Sequence, residues 1–177
     1  AQLARELAEI PMASVATVSV VYDDDAVTAP INGHGYVNPR SEGSPLVGIS
    51  LTSTKFPVRA RPNSMLIRAH VGRMGEADPC TLSDDELIGL VQQELVRTLG
   101  VRAEPKLARV FRWPQAIPQY NVGHRDRVTR IRERLTHLPG IAVAGATWRG
   151  IGIPDCISSG DEAADAVMAH LATRARS

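Results

Sequence analysis

The feature of this 177-residue sequence that most constrains its fold is a helix with both a start signal and a stop signal. Ser83-Asp-Asp-Glu86 is a capping box, in which the serine hydroxyl and the glutamate carboxylate satisfy backbone donors of the first turn. Gly100 suits the position just after the last turn. Apolar residues at three- and four-residue spacing predict one buried stripe along this helix: Leu87, Ile88, Val91, Leu95 and Leu99.

Five short runs predict the strands of the sheet that this helix packs against, and the first of them is rich in β-branched residues. Four of them, at residues 14–22, 33–39, 46–53 and 64–72, precede the helix, and a fifth at 108–113 follows it. Short connections between the first four favour an antiparallel meander. The sequence therefore predicts an α+β fold, with a mainly antiparallel mixed sheet and packed helices.

Further helices are predicted at residues 1–9 and 124–137. The second has a basic face, which is interpreted as a solvated surface rather than a phosphate or lipid site. The apolar run Ile141–Ala144 predicts a buried strand, and glycines then lead to a helix that begins near Pro154. A strand, a glycine loop and a helix N-terminus can present free N–H groups to an anionic ligand, but ordinary αβ units close in the same way. The predicted apolar face of the last helix consists of Ala163, Ala164, Val167, Met168 and Leu171.

Composition narrows the function classes. The net charge of +1 gives no reason to expect a nucleic-acid or membrane partner, and no apolar run is long enough to cross a bilayer. Cys80 and Cys156 stand apart from any metal or redox motif, which favours a cytoplasmic protein. No histidine is spaced for a metal site, and no nucleophile motif exists. We therefore expect no catalytic side chain and no metal, and any redox chemistry would come from an organic cofactor.

Two segments carry a family resemblance. Residues 112–124 contain Ile117-Pro-Gln-Tyr120 and Gly123-His124, and residues 144–160 contain the glycine loop followed by Asp155-Cys-Ile-Ser-Ser-Gly160. With these motifs in this order, the sequence resembles the FAD-dependent protoporphyrinogen and coproporphyrinogen III oxidases of the flavin amine oxidase superfamily. The resemblance extends from about residue 3 to residue 171.

The resemblance implies FAD as the cofactor, with the last glycine loop and helix N-terminus against the flavin and ribityl chain. Such a helix N-terminus would stabilise the negative charge of reduced flavin. The implied cofactor-binding residues are Gly145, Ala146, Trp148, Gly152, Ile153, Pro154, Cys156 and His124.

It also implies a porphyrinogen substrate, which passes hydride to flavin in repeated two-electron steps while O2 reoxidises the cofactor. The implied substrate positions are His34, Val37, His70 and Ile117. Two of the four are histidines, and a polar pocket suits a tetracarboxylate better than a dicarboxylate. The prediction is therefore conversion of coproporphyrinogen III to coproporphyrin III in haem biosynthesis, with protoporphyrinogen IX oxidation as the alternative.

The sequence departs from the family in one respect. The family's opening strand-GxGxxG-helix, which holds the FAD pyrophosphate, is absent from this chain. The chain is accordingly predicted to be the C-terminal portion of the enzyme. Residues 1–138 would form the partial substrate-binding sheet, and residues 139–177 the terminal βα unit of the FAD domain. Its partners would be the porphyrinogen, the missing N-terminal half and, in a homo-oligomer, a second copy. The alternative is a non-catalytic domain that binds a tetrapyrrole or another partner.

Overall fold

The computed structural model describes residues 2–175 and divides the chain into two compact units. Residues Ala13–Ala116 form one, which we call the sheet unit. The described residues before Ala13 and after Ala116 form the other, which we call the helical unit. The α+β fold predicted from the sequence is confirmed. The predicted parts 1–138 and 139–177 concern the domains of a longer enzyme and stay a prediction.

The sheet unit is built on five strands: β1 (Met12–Asp23), β2 (Gly35–Val37), β3 (Leu46–Leu51), β4 (Ser64–Val71) and β5 (Leu107–Pro118), whose last two residues belong to the helical unit. Their order across the sheet is β2-β3-β4-β1-β5. The pairings β2–β3, β3–β4 and β1–β4 are antiparallel. A meander is thus present only from β2 to β4, and the predicted pairing of β1 with β2 is wrong.

The connection between β1 and β2 explains this order. It runs past the C-terminal end of the helix at residues 84–99, where Ala29 N donates to Leu99 O at 3.2 Å. Val27 and Ile31 of the same connection pack against the core. Because these contacts hold the connection against the helix, β2 reaches the far edge of the sheet. The central place is left to β1, whose alternate residues from Ala16 to Tyr22 are buried.

The helix with the capping box is α3 (Asp84–Leu99), and it covers one face of the sheet. Both hydrogen bonds of the box are formed, and Gly100 adopts the predicted left-handed conformation at the C-terminus. A short helix, α2 (Thr52–Lys55), follows β3. The predicted stripe packs on the inward residues of β1, β3 and β4, and only Ile88 is no more than half-buried. One face of the sheet is therefore filled, and the other carries no part of this core.

The helical unit contains α1 (Gln2–Ala8), α4 (His124–Leu135) and α5 (Ile153–Arg174). Ile10, Val128, Ile131 and Trp148 form its core. The basic face of α4 is less solvated than predicted, because Arg130 and Arg134 both lie within ion-pair distance of Glu6 in α1. The hydrogen bond from Arg130 is the main cause of a lowered pKa at the Glu6 carboxyl.

The predicted strand at Ile141–Ala144 is wrong. These residues are irregular, and Ile141 is exposed. A strand forms only where a second strand supplies its hydrogen-bond ladder, and none pairs with this segment within residues 2–175. Val143 packs against the core of the helical unit, so this segment is partly buried without forming a strand.

The apolar face predicted for the last helix is also largely uncovered. Within α5, Ala163 and Val167 are half-buried, whereas Ala164, Met168 and Leu171 are exposed. Ile153 and Ile157 extend the same stripe to the helix N-terminus, and both are exposed. An apolar stripe of this length on a globular protein normally marks a surface that another element covers.

A buried polar cluster fixes β2 to the rest of the sheet unit. Asn38, directly after β2, donates to Ser44 Oγ at 2.8 Å and to Glu94 Oε1 at 3.3 Å. Ser44 Oγ donates to the same carboxylate at 2.9 Å, and Arg97 forms an ion pair with it at 2.6 Å. Arg73 donates to three carbonyl oxygens of this turn. A charge this deep is tolerated because several donors satisfy it.

The cluster predicts a pH-dependent contribution to stability. The hydrogen bond from Arg97 is the first cause of the lowered pKa of Glu94, followed by those from Ser44 and Asn38, while burial opposes the shift. A carboxyl with a lowered folded pKa contributes stability that is complete above its unfolded pKa and is lost as pH falls through the folded value. We expect the free energy of unfolding to fall more steeply below about pH 4.5 in the wild type than in Glu94→Gln.

Urea denaturation at a series of pH values measures this difference. Asp25→Asn is the control, because Asp25 is exposed and has no ion pair within residues 2–175. Its pH profile should match that of the wild type. Parallel profiles for Glu94→Gln and wild type would show that the cluster does not carry the effect.

Candidate functional site

The first candidate surface lies in the helical unit, where the start of α4 meets the glycine loop at residues 145–152. The Tyr120 and His124 rings stack, with centroids 4.1 Å apart. The Tyr120 hydroxyl donates to Ala146 O, and His124 Nε2 lies 3.0 Å from Trp148 O. Because a carbonyl oxygen only accepts, His124 carries its proton on Nε2 in this contact. The two side chains therefore hold the loop in place, and the protein itself contacts one face of the His124 ring and its Nε2 atom.

A third hydrogen bond ties this loop to α5. Gly145 has a φ of 113°, a left-handed conformation that favours glycine, and its N–H donates to the buried Ser159 Oγ at 2.9 Å. Of the predicted cofactor residues, Gly145, Ala146, Trp148 and His124 are thus brought together by direct contacts. A cavity of about 770 Å³ lies beside them, lined by Tyr120, His124, Arg132, Trp148 and Arg149 among others.

The N-terminus of α5 holds the remaining predicted cofactor residues. Gly152 occupies the N-cap position and Pro154 the first turn, as the sequence predicts. The Asp155 side chain lies against the loop, since a Cβ added to Gly150 would come within 2.3 Å of its Cγ. The carboxylate thus already offsets part of the positive end of this helix. Ile153 and Pro154 are exposed and Cys156 is half-buried, so they form an open surface and not an enclosed pocket.

Trp148 tests whether these residues fit a bound cofactor. Its side chain is 6% exposed, yet its indole Nε1 has no acceptor among residues 2–175. A buried donor without a partner costs free energy, and Trp148 lines the cavity. A ligand with acceptor oxygens or nitrogens, such as a flavin nucleotide, would suit this position. The residues present therefore fit one side of such a cofactor.

The second candidate surface is the face of the sheet opposite α3, which we call the open face. Gly48 pairs with both Val37 and His70, so these two predicted substrate residues stand in one row across β2, β3 and β4. Val37 is 79% exposed, whereas His70 is half-buried. A Cβ on Gly48 would lie 2.3 Å from Tyr36 O, so this glycine permits the close approach of β2.

The pKa of His70 is lowered, which favours the neutral imidazole near neutral pH. Burial is the first cause of its lowered pKa, and the positive charge of Arg68 adds to it. A neutral imidazole can still donate one hydrogen bond to a carboxylate, but it brings no positive charge. Without a ligand, the positive charge on this face therefore comes mainly from arginines such as Arg68.

The other two predicted substrate residues stand apart from this row. His34 is exposed just before β2, and its carbonyl oxygen accepts from Leu51 N at 2.9 Å. Ile117 is exposed near the end of β5 and belongs to the helical unit. The assignment of His34, Val37, His70 and Ile117 to a substrate pocket stays a prediction.

Sequence reasoning missed several residues of the open face. Ala108 and Val110 of β5 pack against the core, so Phe111 and Trp113 alternate to the opposite face, where both are about half exposed. Arg68 lies two residues before His70 and is exposed on the same side of β4. Strict alternation along each strand was the signal that could have found all three.

Comparison with known protein families assigns this chain to one of them. Residues 1–168 match the model of the family described as flavin containing amine oxidoreductase. The chain belongs to this family. The match confirms FAD, the cofactor predicted from the sequence, as that of the family.

Individual relatives are informative as well. Coproporphyrinogen III oxidase of Bacillus subtilis (strain 168) is 34% identical over 159 residues, which cover 89% of this chain and 34% of that protein. Human protoporphyrinogen oxidase is 32% identical over 174 residues, which cover 95% of this chain and 36% of the relative. A crystal structure of a provisionally assigned protoporphyrinogen oxidase from Exiguobacterium sp. 255-15 superposes with a TM-score of 0.78 at 31% identity. It matches 98% of this chain and 37% of its own, so the chain spans about a third of the length of these relatives.

Among residues 2–175, no helix combines the length and the apolar character that crossing a membrane requires.

The contacts of Tyr120 predict a measurable effect on the glycine loop. Tyr120→Phe keeps the ring stack but removes the hydrogen bond to Ala146 O, which we expect to lower the free energy of unfolding by about 1 kcal/mol. Amide hydrogen exchange of residues 145–152 should become faster in this variant. Tyr36→Phe is the matched control, because it removes the bond to Thr98 Oγ1 in the sheet unit. Unchanged loop exchange in Tyr120→Phe would contradict this account of the loop.

Proposed function

We propose that this chain is the C-terminal portion of an FAD-dependent, oxygen-using oxidase that converts coproporphyrinogen III to coproporphyrin III in haem biosynthesis. The observation that carries the proposal is the match of 89% of the chain to a coproporphyrinogen III oxidase at 34% identity. The parent enzyme would act in the cytoplasm. Its remaining residues, together with the porphyrinogen, would be the partners of this chain.

The open face supports a role in substrate binding. It combines the exposed aromatic residues Phe111 and Trp113 with Val37, His70 and basic side chains. Sites for flat organic ligands are mostly apolar, with a few polar groups that fix orientation. A tetrapyrrole ring with acidic side chains has this same division between an apolar body and charged ends.

The helical unit supports a role as one side of the flavin site. FAD, when bound, supplies the hydride-accepting chemistry, and the chain would contribute shape and polarity. The loop held by Tyr120, His124 and Ser159 would define one wall, and the unpaired indole N–H of Trp148 would donate to the cofactor. No side chain described here needs to act as an acid or a base, because positioning can supply much of the rate.

The uncovered apolar surface of α5 supports the assignment to a longer protein. Ile153, Ile157, Met168 and Leu171 lie along one stripe, and all four are exposed. The segment at residues 141–144 similarly lacks a neighbouring strand within residues 2–175. Both would be covered by the rest of an FAD domain, of which residues 139–177 would be the last part.

The polarity of the open face favours coproporphyrinogen III over protoporphyrinogen IX as the substrate. The row that contains Val37 and His70 is flanked by Arg68, and no acidic side chain stands on this face of β4. A tetracarboxylate gains more from such a surface than a dicarboxylate does. The similarity to human protoporphyrinogen oxidase keeps protoporphyrinogen IX as the second candidate.

The purified 177-residue chain should contain no stoichiometric FAD. It lacks the glycine-rich loop that binds the pyrophosphate, and the start of α5 is an open surface. Flavin absorbance after acid extraction measures the content, with the full-length enzyme that contains this segment as the control. One FAD per isolated chain would contradict the prediction.

The full-length enzyme should oxidise coproporphyrinogen III with a higher kcat/KM than protoporphyrinogen IX. The reason is the greater number of carboxylates that the basic open face can bind. Porphyrin fluorescence follows both reactions, and oxygen consumption tests the electron acceptor. A preference for protoporphyrinogen IX would reject the substrate choice. Oxidation of neither porphyrinogen would leave a non-catalytic tetrapyrrole-binding domain as the explanation of the open face.

A further inference from the structure

Arg68 stands near the middle of the open face. Its neighbours along β4 on this face are Leu66 and His70, and it pairs in register with Ser50 on β3 and Ser19 on β1. The guanidinium Nε lies 3.4 Å from Ser19 Oγ, which is its one described side-chain contact within residues 2–175. The remaining donors of this exposed side chain have no described acceptor within residues 2–175.

A second arginine lies across β1 from Arg68. Lys106 N donates to Val21 O at 2.8 Å, and Gln115 N donates to Ser14 Oγ at 3.1 Å, so β5 runs antiparallel to β1. Counting from the first contact places Arg109 opposite Val18, and counting from the second places it opposite Val20, so Arg109 lies next to the segment of β1 centred on Ser19. Since strands are spaced by about 4.8 Å, the Arg68 and Arg109 backbones are about 10 Å apart.

Both arginines are free of carboxylate partners in the described part of the chain. Neither takes part in any ion pair within residues 2–175, whereas Arg112 and Arg130 each pair with a carboxylate on another element. The open-face positions of β1, β4 and β5 contain no acidic residue between Asp23, which pairs with Lys106 at one end, and Trp113 at the other. The positive charge on this face is thus not balanced by the protein.

The residues around the two arginines indicate which kind of anionic ligand could balance their positive charge. Leu66, Val21 and Leu107 lie on one side and line a cavity of about 700 Å³, and Phe111 lies on the other side. An extended anion such as a nucleic acid would need a continuous basic track, whereas here basic groups lie at the edge of an apolar patch. Arg59, Arg61 and Lys106 line the same cavity beside one acidic residue, Asp23. A flat apolar ring with carboxylates on its edge matches it better.

We propose that Arg68 and Arg109 bind acidic side chains of the tetrapyrrole and thereby select for substrates with more carboxylates. This inference rests on the proposed function and names the residues that would determine its specificity. Arginine suits the role because its planar guanidinium donates two parallel hydrogen bonds to one carboxylate. A ligand that covers the sheet would also exclude water from these contacts, which strengthens them relative to an exposed ion pair.

Fluorescence titration of the 177-residue chain tests the proposal. The probes are coproporphyrin III, protoporphyrin IX and coproporphyrin III tetramethyl ester, which has the same ring without the charges. The variants are Arg68→Gln, Arg109→Gln and Arg68→Lys. Arg102→Gln is the control, because Arg102 is an exposed arginine of the same unit, in the segment that follows α3, without an ion pair in the described chain.

We expect each Arg→Gln variant at the two positions to weaken coproporphyrin III binding roughly tenfold, to weaken protoporphyrin IX binding less, and to leave ester binding unchanged. Arg68→Lys should retain part of the affinity, because the charge stays and the forked geometry is lost. Arg102→Gln should bind like the wild type. Circular dichroism spectra confirm that each exposed substitution leaves the fold intact.

Three results would overturn the inference. Unchanged coproporphyrin III affinity in both Arg68→Gln and Arg109→Gln would remove these residues from recognition while leaving the proposed function in place. Displacement of coproporphyrin III by a uridine homopolymer of equal total charge would identify a general polyanion surface. Failure of the wild-type chain to bind any of the three porphyrins would reject the proposed substrate sheet together with the inference.

Discussion

The packing of α3 against the sheet is the interaction on which the sheet unit depends. Leu87, Val91 and Leu95 are fully buried on the inward residues of the strands, and the helix has a capped start and a glycine end that fix its length. One face of the sheet is filled in this way. Because residues alternate along each strand, the same pattern that builds the core dictates which side chains form the open face. Arg68 and His70 are outside because Ile67, Ala69 and Val71 are inside.

The helical unit is held together differently. Its core is small, and specific hydrogen bonds from Tyr120, His124 and Ser159 place the glycine loop. A buried indole donor without an acceptor in residues 2–175 and an apolar stripe left exposed on α5 both indicate unsatisfied contacts. A small globular domain with a complete core usually shows neither. Both features agree with the proposal that further chain or a cofactor covers this surface.

Local signals in the sequence were sufficient for most elements. The Ser83–Glu86 box, Gly100 and Pro154 predicted helix ends because capping depends on residues within one turn. The strand runs were recognised because β-branched residues cluster in them. The position of β1 between β4 and β5 could not be predicted, since pairing is decided by where the 24–34 connection packs on α3. The predicted strand at Ile141–Ala144 is wrong for a similar reason, because a strand needs a pairing partner and local composition does not reveal one.

The candidate site, like the fold, was predicted from the sequence only in part. The resemblance directed attention to His34 and His70, but the structure gives them different surroundings, and burial together with Arg68 lowers the pKa of His70 and favours its neutral form. A histidine in this state can orient a carboxylate but cannot neutralise it. Under the proposed function, an acidic ligand on this face would therefore depend on Arg68 and Arg109, which the resemblance did not single out. Their presence could be read only after register and alternation had fixed which residues share the face, so the chemistry of recognition follows from the topology of the sheet rather than from any one motif.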